Sequence, residues 1–294
     1  MPANIGEMFY HGEMPWHKEG IGLQHPADLE EALKVGGLNW EVGDMALLTA
    51  DMPPSPVLKR KALVRLDRPP GHEGRVVGVA HNAFQPFQNH EAGALFDAIF
   101  GHGKRVYHTG GYLGRGEVVW LMAKIDRTLS IGGEDVVQPY ALMANSHDGS
   151  RAFQIMLTTV RVVCQNTLSL AISESLGAPF KRSHQGSFNE HAQAAQKFFS
   201  ATMKELDGIA ESYTALSKQP CPDTVFYAIL EELLPDPKRP VNADRNPAVL
   251  RMWETKRANT LAARSKVLEL RSTGMGAGLR TARGTMWGGL NAVI

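Results

Sequence analysis

Apolar and polar positions are spaced in short runs through the first half of the chain and at helical intervals through the second. In the first half, Lys61 to Leu66 and Arg75 to Ala80 read as strands around a Pro-Pro-Gly-His turn at Pro69 to His72. Arg105 to Thr109 and Glu117 to Ile125 are strand candidates, with the glycine-rich stretch Gly110 to Gly116 expected as the hairpin loop between them. Ile131-Gly132-Gly133-Glu134 has the glycines of a hairpin turn, and Val136 to Met143 reads as the next strand. Phe153 to Val163 is rich in β-branched residues and apolar on both faces, which predicts a central strand. Two helices interrupt these strands. One covers Asp28 to Val35 and closes at Gly36-Gly37; the other is capped by Asn89 and runs to Phe100.

The spacing changes near residue 185. Ser187-Phe188-Asn189-Glu190 has the Ser-x-x-Glu form of a capping box. After it Phe199, Met203, Leu206, Ile209, Tyr213 and Leu216 follow steps of three and four, the mark of a long amphipathic helix. Asp223 to Leu234 is a second helix, closed by the proline-rich stretch Pro235 to Pro240. Asn246-Pro247 opens a third, with Asn as cap and Pro as first helical residue. The expected fold is α+β. A mostly antiparallel sheet with flanking helices fills 1–185, and a helical C-terminal region with a basic, glycine-rich tail fills 186–294.

Composition narrows the class. At 294 residues, with 43% hydrophobic and 21% charged, the chain can bury a core and is not broadly disordered. No apolar run approaches the roughly 18–20 residues that span a bilayer, so no membrane role is expected. Met1 to Tyr10 has no basic stretch leading into an apolar core, so no secretory signal is expected. Cys164 and Cys221 lie far apart without CxxC spacing, which fits a reduced cytoplasmic compartment.

The net charge of +1 hides an uneven layout. Eight acidic residues face three lysines between Glu190 and Asp236, whereas nine basic residues face two acidic ones between Arg245 and Arg283. The basic segment raises phosphate as a partner; a solvated helix face meeting the acidic segment is the plainer alternative.

The richest chemistry lies between Asn145 and Leu168. His147-Asp148 is the acid–base pair the chain offers, and these two residues are its catalytic candidates. Adjacent residues on an extended chain point to opposite faces, however, and Asp148-Gly149 is a turn dipeptide. A hairpin turn is the expected role. In an unbroken strand the even spacing of Arg151 and Arg161 puts both on one side, where Lys181 and Arg182 can extend a cationic surface. Gln165 and Asn166 offer amide edges to the same surface, while Asn166 or Thr167 is expected to cap a helix from Leu168 to Leu176. Cys164 among valines reads as core. The eleven histidines include the pairs His11/His17, His81/His90, His102/His108 and His184/His191, none with zinc-site spacing, so no metal and no cofactor is expected. Lys104-Arg105-Val106-Tyr107-His108 and Phe180-Lys181-Arg182-Ser183-His184 mix aromatic and basic residues as stacking on unpaired bases requires. The glycines of Gly274 to Gly278, flanked by Arg271, Arg280 and Arg283, could wrap a phosphodiester backbone.

Three motifs carry a family resemblance. Asn145-Ser146-His147-Asp148-Gly149-Ser150, Val162-Val163-Cys164-Gln165-Asn166-Thr167-Leu168 and Gly284-Thr285-Met286-Trp287-Gly288-Gly289-Leu290-Asn291-Ala292-Val293 resemble the phage/plasmid-like protein family of unknown function. Trp16-His17-Lys18-Glu19-Gly20 is similar to its N-terminal end. The resemblance implies a mobile element, where such genes accompany DNA maintenance and anti-restriction.

The expected function is binding, and possible annealing, of single-stranded DNA. It would use Arg151, Arg161, Gln165, Asn166, Lys181 and Arg182 beside the sheet, with Arg257, Arg264 and Arg271 from the helical region, in a chain able to form a homo-oligomer. Two other readings stay open. One is an enzyme on nucleic acid or nucleotide with His147, Asp148, Arg151 and His184 around its site. The other is a protein-interaction module acting on a host defence factor.

Overall fold

The computed structural model describes residues 4–173, 175–182, 188–241, 246–274 and 276–293. In chain order its elements begin with β1 (Ile5–His11), β2 (Ile21–Leu23), α1 (Leu29–Val35), β3 (Val42–Leu48), β4 (Pro56–Arg65) and β5 (Val76–His81). α2 (Asn89–Phe96) follows and runs on into a π-helical turn, Asp97–Gly101. Then come β6 (Tyr107–Leu113), β7 (Val118–Lys124), β8 (Leu129–Ile131), β9 (Asp135–Val137), β10 (Tyr140–Ser146) and β11 (Phe153–Thr158). The rest is α3 (Gln165–Ser173), β12 (Leu176–Arg182), α4 (Phe188–Lys218), α5 (Asp223–Leu233), α6 (Pro247–Thr273) and α7 (Met286–Val293). The class is the expected α+β, a mostly antiparallel sheet with helices and a helical C-terminal part. The expected capping box at Ser187 lies outside the described residues.

The chain divides into two compact units, Met1–Thr128 with Gln138–Leu206, and Leu129–Val137 with Asp207–Ile294. The division falls inside α4, and the short β8–β9 hairpin belongs with the C-terminal helices.

In the first unit the described strands form a seven-stranded sheet, ordered β12-β11-β10-β7-β6-β1-β2, and a three-stranded sheet, β3-β4-β5. Of the pairings in the large sheet, β1–β2 is parallel and those of β6, β7, β10, β11 and β12 are antiparallel. β7 lies fourth in this order and reads Val-Val-Trp-Leu-Met-Ala-Lys, with every residue but Lys124 buried. Both faces of the sheet are therefore covered. On one face α2 brings Gly93 against Leu121. On the other, the segment leading into α3 is clipped down by Thr109, whose Oγ1 donates to the Val162 carbonyl at 2.8 Å.

Of the glycines that read as a loop, Gly110 and Gly111 lie inside β6, and Gly114 and Gly116 form the turn between β6 and β7. A Cβ at Gly111 would stand 2.2 Å from the Glu7 carbonyl oxygen, so glycine is needed there for strand approach. Phe153 to Val163 is not one central strand. β11 stops at Thr158, whose Oγ1 accepts from the Val160 amide at 3.0 Å, and it lies second from the sheet edge. That local turn diverts the backbone from the ladder despite the β-branched run that follows. Val136 to Met143 is likewise two strands, β9 and β10, parted around Pro139, which has no N–H for a ladder.

α1 is capped by Asp28, which accepts from the Glu31 amide at 3.0 Å. α2 is capped by Gln88 through a capping box with Glu91, not by Asn89 as expected. Asn89 is instead buried in the first turn, and its amide donates to Leu38 and Trp40 carbonyls at 3.0 and 3.2 Å. Cys164, not Asn166 or Thr167, precedes the first residue of α3. Thr167 reaches back so that its Oγ1 accepts from the Val163 and Cys164 amides, both at 2.9 Å. Cys164 is buried, as expected of a core residue.

In the second unit β8 and β9 turn through Gly132 and Gly133, both at positive φ. Trp287 Nε1 donates to Asp135 at 2.8 Å and its ring lies 4.6 Å from that of Tyr213. A small core of Cys221, Phe226 and Ala292 packs with Val267, Leu268, Met286 and Val293. Asn246 caps α6, with Pro247 as its first residue.

Candidate nucleic-acid interface

The residues singled out in the sequence are scattered over several separate places. His147 is fully buried, stacks edge-on to Trp40 at 5.2 Å, and approaches Asn89 Oδ1 at 2.8 Å. Asp148 closes the expected turn instead, its Oδ1 accepting from the Ser150 amide at 2.8 Å with Gly149 at φ 77. His147 and Asp148 thus sit in different surroundings, one in the buried interior and one in the turn. His184 lies outside the described residues.

Arg151 and Gln165 line one hollow of about 310 Å³ with Asn4, Glu117, Asp148 and Ser150. The two motifs that frame the Asn145–Leu168 stretch thus meet in space. Gln165 Oε1 accepts from Asn4 at 2.7 Å, and Asn166 is exposed at the start of α3. Arg161 does not share a strand face with Arg151, because β11 ends before it. Its Nη2 donates to the His11 carbonyl at 3.1 Å. Lys181 is exposed on the edge strand β12, opposite Gln154, and Arg182 pairs in register with Phe153.

In the second unit two arginines are committed to helix ends. Arg264 Nε donates to the Leu234 carbonyl at 2.9 Å and pairs with Asp236 at 3.5 Å. Arg271 donates to the Cys221 carbonyl, pairs with Asp223 at 3.1 Å and lies 4.2 Å over the Phe226 ring. Arg257 is exposed over the Trp253 ring at 5.6 Å.

A larger concavity of about 590 Å³ gathers cations and aromatics in the first unit. It is lined by Lys104, Arg105, His102, His108 and Lys124, with Asp126 as its carboxylate and Phe100, Phe199 and Met203 as its apolar side. The π-helical turn builds its rim. Asp97 Oδ1 accepts from Tyr107 at 2.9 Å and Oδ2 from the Gly103 amide at 2.9 Å, while His102 adopts φ 48. π-turns inside helices often mark functional sites because they widen the backbone locally. Phe100 and Phe199 meet edge-to-face, 4.2 Å between ring centres. Arg105 is tied to Asp28 and Glu31 at 3.3 and 2.5 Å. Among the described residues no ion pair engages Lys104 or Lys124, and both are exposed, so their charge is available.

Burial, then His11, Lys124 and Arg161, push the His108 pKa from 6.5 down to about 4, so the residue is neutral at pH 7. Its ring lies 5.0 Å from His11 and 6.4 Å from Tyr140. Burial raises the Tyr140 pKa against the opposing effect of Arg161. Among the described residues no cluster of His, Cys, Asp and Glu could hold a metal, and no helix is long and apolar enough to cross a membrane.

Sequence reading named the Lys104–His108 segment but missed Lys124, Phe100 and Phe199. Lys124 is the last residue of an apolar strand, Phe100 reads only as a helix end, and Phe199 reads as one position of an amphipathic stripe. Their meeting depends on α4 returning to the end of the π-turn, a long-range contact that local pattern does not encode.

Residues 76–294 match the model of the family described as Domain of unknown function (DUF932), and the chain belongs to that family. No curated protein matches, and no solved structure matches.

Proposed function

We propose that this member of the DUF932 family binds single-stranded nucleic acid, single-stranded DNA foremost, in the cleft bounded by Lys104, Lys124, His108 and Phe100. The observation that carries this reading is two exposed lysines, in no ion pair among the described residues, beside an edge-to-face aromatic pair in one concavity. Lysines neutralise phosphates, aromatic faces take unpaired bases, and such binding needs no catalytic group. Every base has a π-face, so a cleft of this kind is tolerant of sequence. A duplex keeps its bases stacked inside and cannot present one to Phe100. The resemblance to phage and plasmid proteins supports a place in DNA maintenance on a mobile element, with annealing of strands as one use. Single-strand binders commonly act as oligomers, and we propose the helical second unit as the contact between copies.

The test is equilibrium binding of a fluorescein-labelled oligothymidylate and of a duplex of equal length across a salt series. Binding of the single strand that weakens steeply with salt, and exceeds duplex binding, supports the reading. No binding at about 50 mM salt, where electrostatic contacts are strong, overturns it.

A further inference from the structure

Trp16 stands out among the tryptophans. Trp40, Trp120 and Trp287 are 6%, 0% and 3% exposed, whereas Trp16 is 65% exposed. An exposed indole presents a large, rigid aromatic face of the kind on which an unpaired base stacks. Met14 and Ile21 nearby in sequence are also exposed, and Lys18 sits at φ 62, a conformation that turns the loop sharply.

A chain of contacts joins this indole to the cationic cleft. His108, which lines the cleft, meets the His11 ring at 5.0 Å. Arg161 holds the His11 carbonyl at 3.1 Å. Two residues on, the Val163 carbonyl is met by His17 Nε2 at 2.9 Å, and the His17 ring lies 5.3 Å from Trp16. The loop bearing Trp16 is thus pinned beside Arg161, and Arg161 lies between the indole and the cleft in this contact series. All these residues belong to the first unit.

We infer that Trp16 is a second stacking platform for the strand bound at Phe100, with the backbone between them running past Arg161. This rests on the single-strand reading of the cleft and extends it from a site to a path. One base stacks at Phe100 and another, farther along the strand, on the exposed indole. Arg161 keeps donors beyond the one used on His11 and supplies the phosphate contact between them. A partner protein that covered Trp16 instead would use the indole without any dependence on strand length.

The test compares oligothymidylates of about 4 and about 16 nucleotides, the range of single-strand site sizes. They are titrated against the full chain, Trp16→Ala and Trp16→Phe. The indole is exposed, so thermal unfolding of both variants should match that of the parent. Stacking on one aromatic side chain sets the expected loss for Trp16→Ala, about five- to a hundredfold on the long strand and little on the short one. Trp16→Phe should recover most of it. Equal affinity of Trp16→Ala and the parent for the long strand overturns the inference while leaving the cleft intact. Failure of the parent to bind either strand overturns the cleft reading itself, and the path with it.

Discussion

His147 Nε2 stands 2.8 Å from Asn89 Oδ1 with both residues buried. The Asn89 amide nitrogen is already donating to the Leu38 and Trp40 carbonyls, which fixes the orientation of the amide. Its oxygen therefore accepts, and His147 Nε2 donates. The same corner holds Arg65, 2% exposed, with its guanidinium 4.2 Å over Trp40 and 4.9 Å over Tyr112. Asp67 grips Arg65 through two hydrogen bonds of 3.0 and 2.8 Å. The hydrogen bond from Arg65 holds the Asp67 pKa below its ordinary value, against burial. His147 is thus part of a buried polar and aromatic junction.

His147→Ala should therefore unfold more easily, by about 2–4 kcal/mol, because it leaves a cavity and an orphaned Asn89 oxygen. Urea denaturation measures this. Unchanged stability with a lost activity would point back to catalysis at His147.

Gly288 should resist even alanine. A Cβ there would lie 1.9 Å from the Ala282 carbonyl oxygen, a backbone atom that cannot swing aside. In an open helix Gly→Ala stabilises by about 1 kcal/mol, so the sign of the effect is diagnostic. Gly288→Ala is predicted to destabilise by about 1–3 kcal/mol or more. Calorimetry that finds a gain in stability would contradict the packing of α7.

Arg264 should matter for stability more than for ligand affinity. It satisfies the Leu234 carbonyl that closes α5. Arg264→Ala is expected to cost about 1–3 kcal/mol, from loss of a charged hydrogen bond to a part-buried acceptor. Its affinity for oligonucleotide should change less than that of Lys104→Ala. A large affinity loss with unchanged stability would return Arg264 to the binding surface.

Acid should weaken the fold through His108. Its pKa falls from 6.5 unfolded to about 4 folded, mainly through burial. Stability from this group is complete above pH 6.5 and is lost as pH falls toward 4, because the unfolded chain takes up the proton first. Partial solvent access reduces the effect to about 1 kcal/mol between pH 7 and pH 5. His108→Gln should lose less stability over that interval than the parent, read by denaturation at the two pH values. Equal losses would show that His108 is not held neutral.

Local chemistry was the legible part of this chain. The short helix closed at Gly36-Gly37, the Gly132-Gly133 turn and the Asn246-Pro247 start of α6 each depend on a few adjacent residues. The reading failed where distant backbone decided the outcome. Gly110 and Gly111 look like loop residues until the close approach of β1 is known. Arg151 and Arg161 look like partners on one strand until Thr158 turns the chain between them. Arg264 and Arg271 look like free cations until α5 places a carbonyl against each. For the candidate site, basic residues were visible in sequence, but the lysine–aromatic cleft needs three separated segments, around residues 99–108, 124–126 and 199–203, to converge.

Lys104 and Lys124 are the proposed phosphate contacts on which single-strand binding in the cleft depends. The decisive measurement is the salt dependence of single-strand affinity for the parent and for Lys104→Ala/Lys124→Ala. Each phosphate contact contributes about 0.7 to the slope of log affinity against log salt for a single strand. The double variant should bind more weakly at low salt with a slope shallower by about 1.4. Identical affinity and slope in the two proteins would contradict the account.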